Sequence, residues 1–242
     1  MNNRNSSFNY IGEQQQSIQV AKTFLSGVFM WMFLAMGITA ATAYLFATTD
    51  SLISLMYNTE TGGMSITGWI IMLSPLGLVL WMSAGFQRLS ASAMLMIFVL
   101  YSVLMGASLS FVFLAFTGAS IAKTFVITAA MFGFMAVVGY TTKTDLSKFG
   151  SIMMMGLVGL IIASLVNIFM QSSTMDYIIS FIGVLVFTGL TAYDVQKLKR
   201  IGAGTYGEDE MTRKLTIMGA LTLYLDFINL FLFLLRFFGD RR

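Results

Sequence analysis

The stretch Leu221-Thr222-Leu223-Tyr224-Leu225-Asp226-Phe227-Ile228-Asn229-Leu230-Phe231-Leu232-Phe233-Leu234-Leu235 decides the fold. One carboxylate sits inside an apolar run, Leu215 to Phe238, that is long enough to cross a bilayer. A charged side chain near the middle of a membrane helix costs roughly 2.5 to 3.5 kcal/mol on insertion scales, so it faces the protein interior, pairs, and marks a pathway or a switch. The preceding apolar run ends in a second carboxylate, Phe187-Thr188-Gly189-Leu190-Thr191-Ala192-Tyr193-Asp194, just before the basic Lys197, Lys199 and Arg200. Asp194 and Asp226, on consecutive membrane segments, form the candidate site.

Composition agrees with that reading over the whole chain. Of 242 residues, 57% are hydrophobic and only 10% charged, against roughly 45 to 50% and 25% in a soluble domain. Mean hydropathy is +0.81. The expected class is therefore an all-α integral membrane protein. With no Cys, a disulfide framework, a thiolate metal site and a cysteine nucleophile are excluded. With no His, the usual zinc ligand, the commonest general base and the side chain that titrates near neutrality are excluded too. A response to physiological pH must then come from carboxylates. Basic residues lie in short loops, so they read as topology signals and not as a nucleic-acid surface.

Residues 1–21 read as a polar, partly disordered cytoplasmic tail without a signal-peptide h-region. Residues 22–242 read as one membrane domain. Its apolar runs are Phe24 to Phe46, Ile66 to Gly85, Ala91 to Phe116, Ile121 to Tyr140, Phe149 to Met170, Tyr177 to Val195 and Leu215 to Phe238, seven helices in all. Gly62-Gly63 and Gly118 mark turns. Ala41-Thr42-Ala43 resembles a signal-peptidase site, but the apolar run before it is too long for an h-region. Pro75 removes a backbone hydrogen bond inside the second run and should kink it, as a structural bend or a hinge.

Several motifs carry two readings. Gly133, Ala136 and Gly139, and Gly156, Gly159 and Ala163, suggest close helix packing. The 20 Met residues are gap-fillers before they are soft-metal ligands. Asp145 or Ser147 can cap the fifth helix. Arg88 is either a snorkelling, topology-setting cation or the counter-charge of the Asp pair. Arg236, ten residues from Asp226 and so about 15 Å along the same helix, is a poor partner for it. Two adjacent carboxylates in a desolvated place cannot both ionise cheaply and titrate as a unit, which gives a His-free chain a proton switch.

The segments Gly189-Leu190-Thr191-Ala192-Tyr193-Asp194-Val195-Gln196-Lys197 and Leu223-Tyr224-Leu225-Asp226-Phe227-Ile228-Asn229-Leu230-Phe231 closely resemble the transmembrane Bax inhibitor motif family (Bax inhibitor-1-like), in its bacterial form. Weaker likeness runs through Leu100 to Ser110 and Thr142 to Ser147, so that about Ser90 to Gly239 is covered. The resemblance implies seven helices with the last, carrying Asp226, near the bundle centre. It also implies a pH-sensitive calcium leak of the bacterial cytoplasmic (inner) membrane, governed by an Asp pair that falls on Asp194 and Asp226, with Ca²⁺ as a transient ligand and no cofactor. The family's gating Arg falls on Arg88. A longer stretch between the last two helices, Ile201 to Arg213, departs from the eukaryotic members.

A second function class is a regulatory membrane protein, since some bacterial relatives are thought to engage a membrane-bound AAA protease and the polar tail suits such a contact. The third is an intramembrane aspartyl protease. It is disfavoured because Leu223-Tyr224-Leu225-Asp226 is not Gly-x-Gly-Asp, and the lone Pro75 leaves no Pro-Ala-Leu motif. The expectation is that the chain is no enzyme.

Orientation follows from Lys and Arg counted by loop. One side carries Arg4, Lys22, Arg88, Lys143, Lys148, Lys197, Lys199, Arg200, Arg213 and Lys214; the other carries Lys123, Arg236, Arg241 and Arg242. The other side also holds Asp50, Glu60 and Asp176, which read as solvated loop charges or weak cation attractors. Ten against four puts the N-terminus in the cytoplasm and the C-terminus outside. A reporter fused after Arg242 should be active only if it works outside the cytoplasm. A C-terminal fusion active only inside would remove one span from the count.

Overall fold

Among the described residues, seven helices are long and apolar enough to cross a bilayer, and they differ sharply in how much of themselves they bury. The computed structural model describes residues 3–58, 63–205, 207 and 209–240, with side chains from 19 onward except at 58. Gly62, Glu60, Arg241 and Arg242, and the side chain of Arg4, lie outside the described residues. The spanning helices are α1 (Asn3–Thr48, apolar from Gln19), α3 (Ile66–Ala84), α4 (Ala91–Ala115), α5 (Gly118–Thr141), α6 (Ser147–Met170), α7 (Ser173–Ala203) and α8 (Glu210–Phe238). A short α2 (Asp50–Met56) and a two-stranded antiparallel hairpin, β1 (Tyr57–Asn58) and β2 (Gly63–Met64), fill the α1–α3 connection.

Burial ranks the helices. The apolar window of α8 is 67% buried and that of α7 61%, against 11% for α6 and 17% for α3. The last helix is therefore central, packed by α1, α4, α5 and α7. Helix α7 lies beside it between α1, α5 and α6, while α6 leans chiefly on α7 and α3 chiefly on α4. Side chains such as Phe134, Val137, Ile161, Phe169 and Phe181 stand exposed on the outer faces. In hydrocarbon these outward apolar groups are what the solvent requires.

Helix ends follow their polar residues. Ser65, Ser90, Thr117, Ser172 and Asp209 each accept a hydrogen bond from the backbone N–H three residues on, which satisfies donors that a helix start leaves unpaired. At α6 the cap position is Leu146, which offers no side-chain bond. Asp145 does the work from one residue earlier, its Oδ1 accepting from Ser147 N at 2.9 Å and Ser147 Oγ at 2.7 Å.

Helix α1 runs back through the polar N-terminal segment to Asn3. Two expectations are corrected. Helix takes up both ends of the stretch Ile201 to Arg213: α7 continues to Ala203 and α8 starts at Glu210, because backbone hydrogen bonding does not stop where the apolar run stops. The small-residue stripes also separate into used and unused positions. A Cβ on Gly139 would overlap the carbonyl of Ala192, so α5 and α7 touch there backbone to backbone, whereas Gly133 and Gly159 face open space.

Pro75 leaves α3 as one helix. The carbonyl it orphans, that of Ile71, accepts from Ser74 Oγ at 2.9 Å and from Ser108 Oγ of α4 at 3.1 Å. The lost backbone bond becomes an interhelical tie.

The Gly139 contact can be tested directly. Gly139→Ala should destabilise the bundle by about 1 to 3 kcal/mol, the range for overpacking against a rigid neighbour, whereas Gly133→Ala should stay within about 0.5 kcal/mol of wild type. Thermal unfolding of both variants in one detergent is the measurement; equal midpoints would mean that α5 and α7 part easily at Ala192.

Candidate functional site

Helices α7 and α8 bring Asp194 and Asp226 together. Both are buried, at 8% and 5% exposure, among Leu190, Val195, Leu223, Phe227 and Leu230, and their carboxyl groups are close enough to act on each other electrostatically. Asp226 Oδ2 is sealed from solvent and has no donor among the described residues. Two carboxyl groups make a hydrogen bond only when one of them carries a proton. A buried pair of carboxyls is the kind of group that can bind a proton in a bundle that has no histidine.

What aims Asp226 at α7 lies on the other side of α8. Tyr224 precedes it by two residues, about 200° around a helix of 3.6 residues per turn. The Tyr224 hydroxyl and Thr39 Oγ1 of α1 are 2.8 Å apart. Thr39 Oγ1 spends its own hydrogen on the carbonyl of Ser102 in α4, at 2.9 Å, so Tyr224 is the donor. Rings of Tyr101 and Phe98 stand edge-on to Tyr224, at 5.5 and 6.2 Å. This knot of α1, α4 and α8 fixes the rotation of α8. Nothing in the sequence marks Thr39 as a member; Tyr101 and Ser102 fall in the stretch of weaker family likeness and Tyr224 in the stronger motif, but no signal joins them.

Beyond Asp194, one turn further along α7, the polar residues fasten the α5–α6 loop. Gln196 accepts from Leu146 N at 2.9 Å and donates to the carbonyl of Thr144 at 2.8 Å. Lys199 donates to the carbonyl of Tyr140, in the last turn of α5, at 2.8 Å, with its Nζ 4.7 Å from that residue's ring centre. Arg200 pairs with Asp145 at 2.6 Å and reaches Ser147 Oγ at 3.2 Å. The hydrogen bond from Arg200, helped by those from Ser147, holds the Asp145 carboxyl well below the ordinary carboxylate range. Hydrogen bonds from Thr212 lower Asp209 in the same way at the start of α8. Residues read from sequence as topology signals are here a clasp.

Arg88 is not brought to the pair. It is exposed in the α3–α4 turn and forms no ion pair among the described residues. That turn meets α8 through Phe86, whose ring lies 5.3 Å from Lys214 Nζ, twelve residues and so about 18 Å along the helix from Asp226. The cation whose charge acts on Asp194 is Lys197, one turn along its own helix. At the opposite end, Asp176 accepts from Asn167 Nδ2 at 2.9 Å and lies 3.8 Å from Arg236 Nη1. Both residues line a cavity of 580 Å³. The chain end is tied there too, Asp240 N donating to Ser120 Oγ at 3.0 Å.

No cluster of three or more His, Cys, Asp or Glu occurs among the described residues. Asp194 and Asp226 offer four carboxyl oxygens, fewer than the six to eight that surround a bound Ca²⁺. Such a pair suits a passing cation better than a resident one.

Residues 21–242 match a protein-family model described as "Inhibitor of apoptosis-promoting Bax1". The chain is 48% identical over 222 residues to the inner membrane protein YbhL of Escherichia coli K12, covering 91% of this chain and 93% of that one. An uncharacterised protein of Rickettsia prowazekii is 44% identical, with 91% of each chain covered. An uncharacterised membrane protein of Streptococcus pyogenes serotype M6 is 36% identical, over 89% of this chain and 92% of that one.

The clasp yields a pH signature of its own. Asp145 has a folded-state pKa below its unfolded one, so its pairing stabilises above the unfolded value of about 4 and is lost as pH falls through the folded value. At pH 7 the wild type should unfold at a higher temperature than Asp145→Asn, and the two should converge as the solution is acidified below about pH 4. Equal midpoints at pH 7 would show that so exposed a pair contributes nothing to stability.

Proposed function

The chain belongs to the Bax inhibitor-1-like family of membrane proteins, and from that premise we propose that it is a pH-sensitive calcium leak channel whose closed state is set by the Asp194–Asp226 pair. The observation that carries the reading is the close approach of two buried carboxyl groups, with no donor on Asp226 Oδ2 among the described residues. While a proton bridges the pair, α7 and α8 are held together across the bundle interior. When the proton leaves, two like charges face each other in a low-dielectric place and the helices are driven apart. The freed oxygens are hard ligands of the kind Ca²⁺ prefers.

The same reading sets the membrane and orientation. YbhL of E. coli is named an inner membrane protein, and we assign this chain to the bacterial cytoplasmic membrane with its N-terminus in the cytoplasm. Ca²⁺ and protons are then the permeant and modulating ions. The clasp of Gln196, Lys199 and Arg200 stands on the cytoplasmic side of the pair, and Asp176 on the outer side.

Purified protein in liposomes tests this. Wild type should leak Ca²⁺ with a defined pH midpoint, and Asp194→Asn and Asp226→Asn should each shift or flatten that dependence. Because the two carboxyls titrate as a unit, the double variant should depart from the sum of the singles by more than the ~0.3 to 0.5 kcal/mol expected of independent sites. Additive effects with an unmoved midpoint would dissolve the pair as a switch. No Ca²⁺ flux from any variant, at matched protein density, would overturn the channel itself and leave a regulatory role.

A further inference from the structure

We infer that the groove between α1, α4 and the start of α8 is a binding site for an anionic phospholipid, with its phosphate on Arg213 and one acyl chain running inward to Trp31. The inference is independent of the calcium reading. The groove encloses 630 Å³, within the range of small-ligand sites. Along α1 it extends from Gln19 to Trp31, twelve residues or about 18 Å. Half of a bilayer hydrocarbon core is about 15 Å. The part inside the apolar run, Phe24 to Trp31, is seven residues or about 10 Å, so the groove runs from the headgroup level through roughly two thirds of one leaflet.

Its walls and its rim differ in chemistry. Phe24, Leu95 and Ile217 supply apolar surface. The threonines there are masked: Thr23 Oγ1 donates to the carbonyl of Gln19 at 3.2 Å and Thr216 Oγ1 to that of Thr212 at 2.8 Å. The Thr216 methyl is the atom that a Cβ on Gly27 would meet, at 3.2 Å, so it is turned toward α1. A hydroxyl bonded back to its own helix leaves carbon for a chain to lie on.

At the rim the charges are unequally occupied. Glu210 Oε1 accepts from Ala91 N, at 3.4 Å, and Asp209 Oδ1 from Thr212 N, at 2.7 Å. Each of these acids has a donor. Arg213 is exposed, lines both this groove and an adjoining cavity of 400 Å³, and makes no ion pair among the described residues. A guanidinium in a fixed fork matches a phosphate, and its place at the outer end of an apolar groove that enters the leaflet selects a phosphate that carries acyl chains.

Native mass spectrometry of the full chain in detergent, titrated with phosphatidylglycerol or phosphatidylcholine, is the test. Wild type should retain phosphatidylglycerol in preference. Arg213→Gln should weaken that binding about fivefold, the factor equivalent to the ~1 kcal/mol contributed by one basic residue at an anionic surface, and Arg213→Lys should recover most of it. Thr23→Trp, which fills the groove from an exposed position on α1, should lower retention of both lipids. Glycerol 3-phosphate should not compete. Equal retention of the two lipids, or an Arg213→Gln profile like wild type, would overturn the proposal. Competition by glycerol 3-phosphate would make the site a free-anion pocket, and a change of oligomeric state in Thr23→Trp without lipid loss would make it a contact between copies; either result also defeats it.

Discussion

The close approach of two carboxyl groups inside the membrane dictates much of the rest of the bundle. Such an approach tolerates neither lipid nor an arbitrary helix rotation, so both helices that make it must be wrapped. Helix α8 is enclosed by α1, α4, α5 and α7, and α7 by α1, α5, α6 and α8. The Tyr224–Thr39–Ser102 bonds then act as a rotational lock. Without them an apolar helix such as α8 could turn about its axis at little cost, since its faces are chemically alike. A hydrogen bond two residues away makes one face unlike the others.

Polar groups elsewhere follow the same logic of position over number. Between helices that are all apolar, lipid-facing and protein-facing surfaces cannot be told apart by hydrophobicity, and association rests on close packing and a few hydrogen bonds. Those bonds cluster where the helices must keep register. Ser108 takes the carbonyl freed by Pro75, Lys199 takes one from the last turn of α5, and Gln196 takes both a donor and an acceptor of the α5–α6 loop. The Gly139–Ala192 approach adds the short-range dispersion that such a register permits.

The seven spans and the burial of the two Asp residues were legible because an apolar run of about 20 residues and a carboxylate within it are local signals. The partner of a polar side chain is not local. Arg88 reads as a counter-charge only while its distance from Asp226 is unknown, and the basic run 197–200 reads as a topology mark only while Asp145 is not seen beside it. Helix α2 and the small hairpin escaped because seven- and two-residue elements fall below any periodic signal. The loop between α7 and α8 was overestimated for a related reason: hydropathy finds the membrane edge, while capping by Asp209 finds the helix edge.

Helix α6 has a property of a different kind. It is the least buried span, yet it is pinned to α7 at both extremities, by Asp145 and Leu146 to Arg200 and Gln196 and by Asn167 to Asp176. Its apolar run, Phe149 to Met170, measures about 33 Å, some 3 Å more than a typical hydrocarbon core of about 30 Å. A span in that condition leans to fit its surroundings, and the lean changes with bilayer thickness. Because both pins are on α7, any such tilt is delivered as a torque to the helix that carries Asp194, which makes α6 a mechanical strut between lipid and carboxyl.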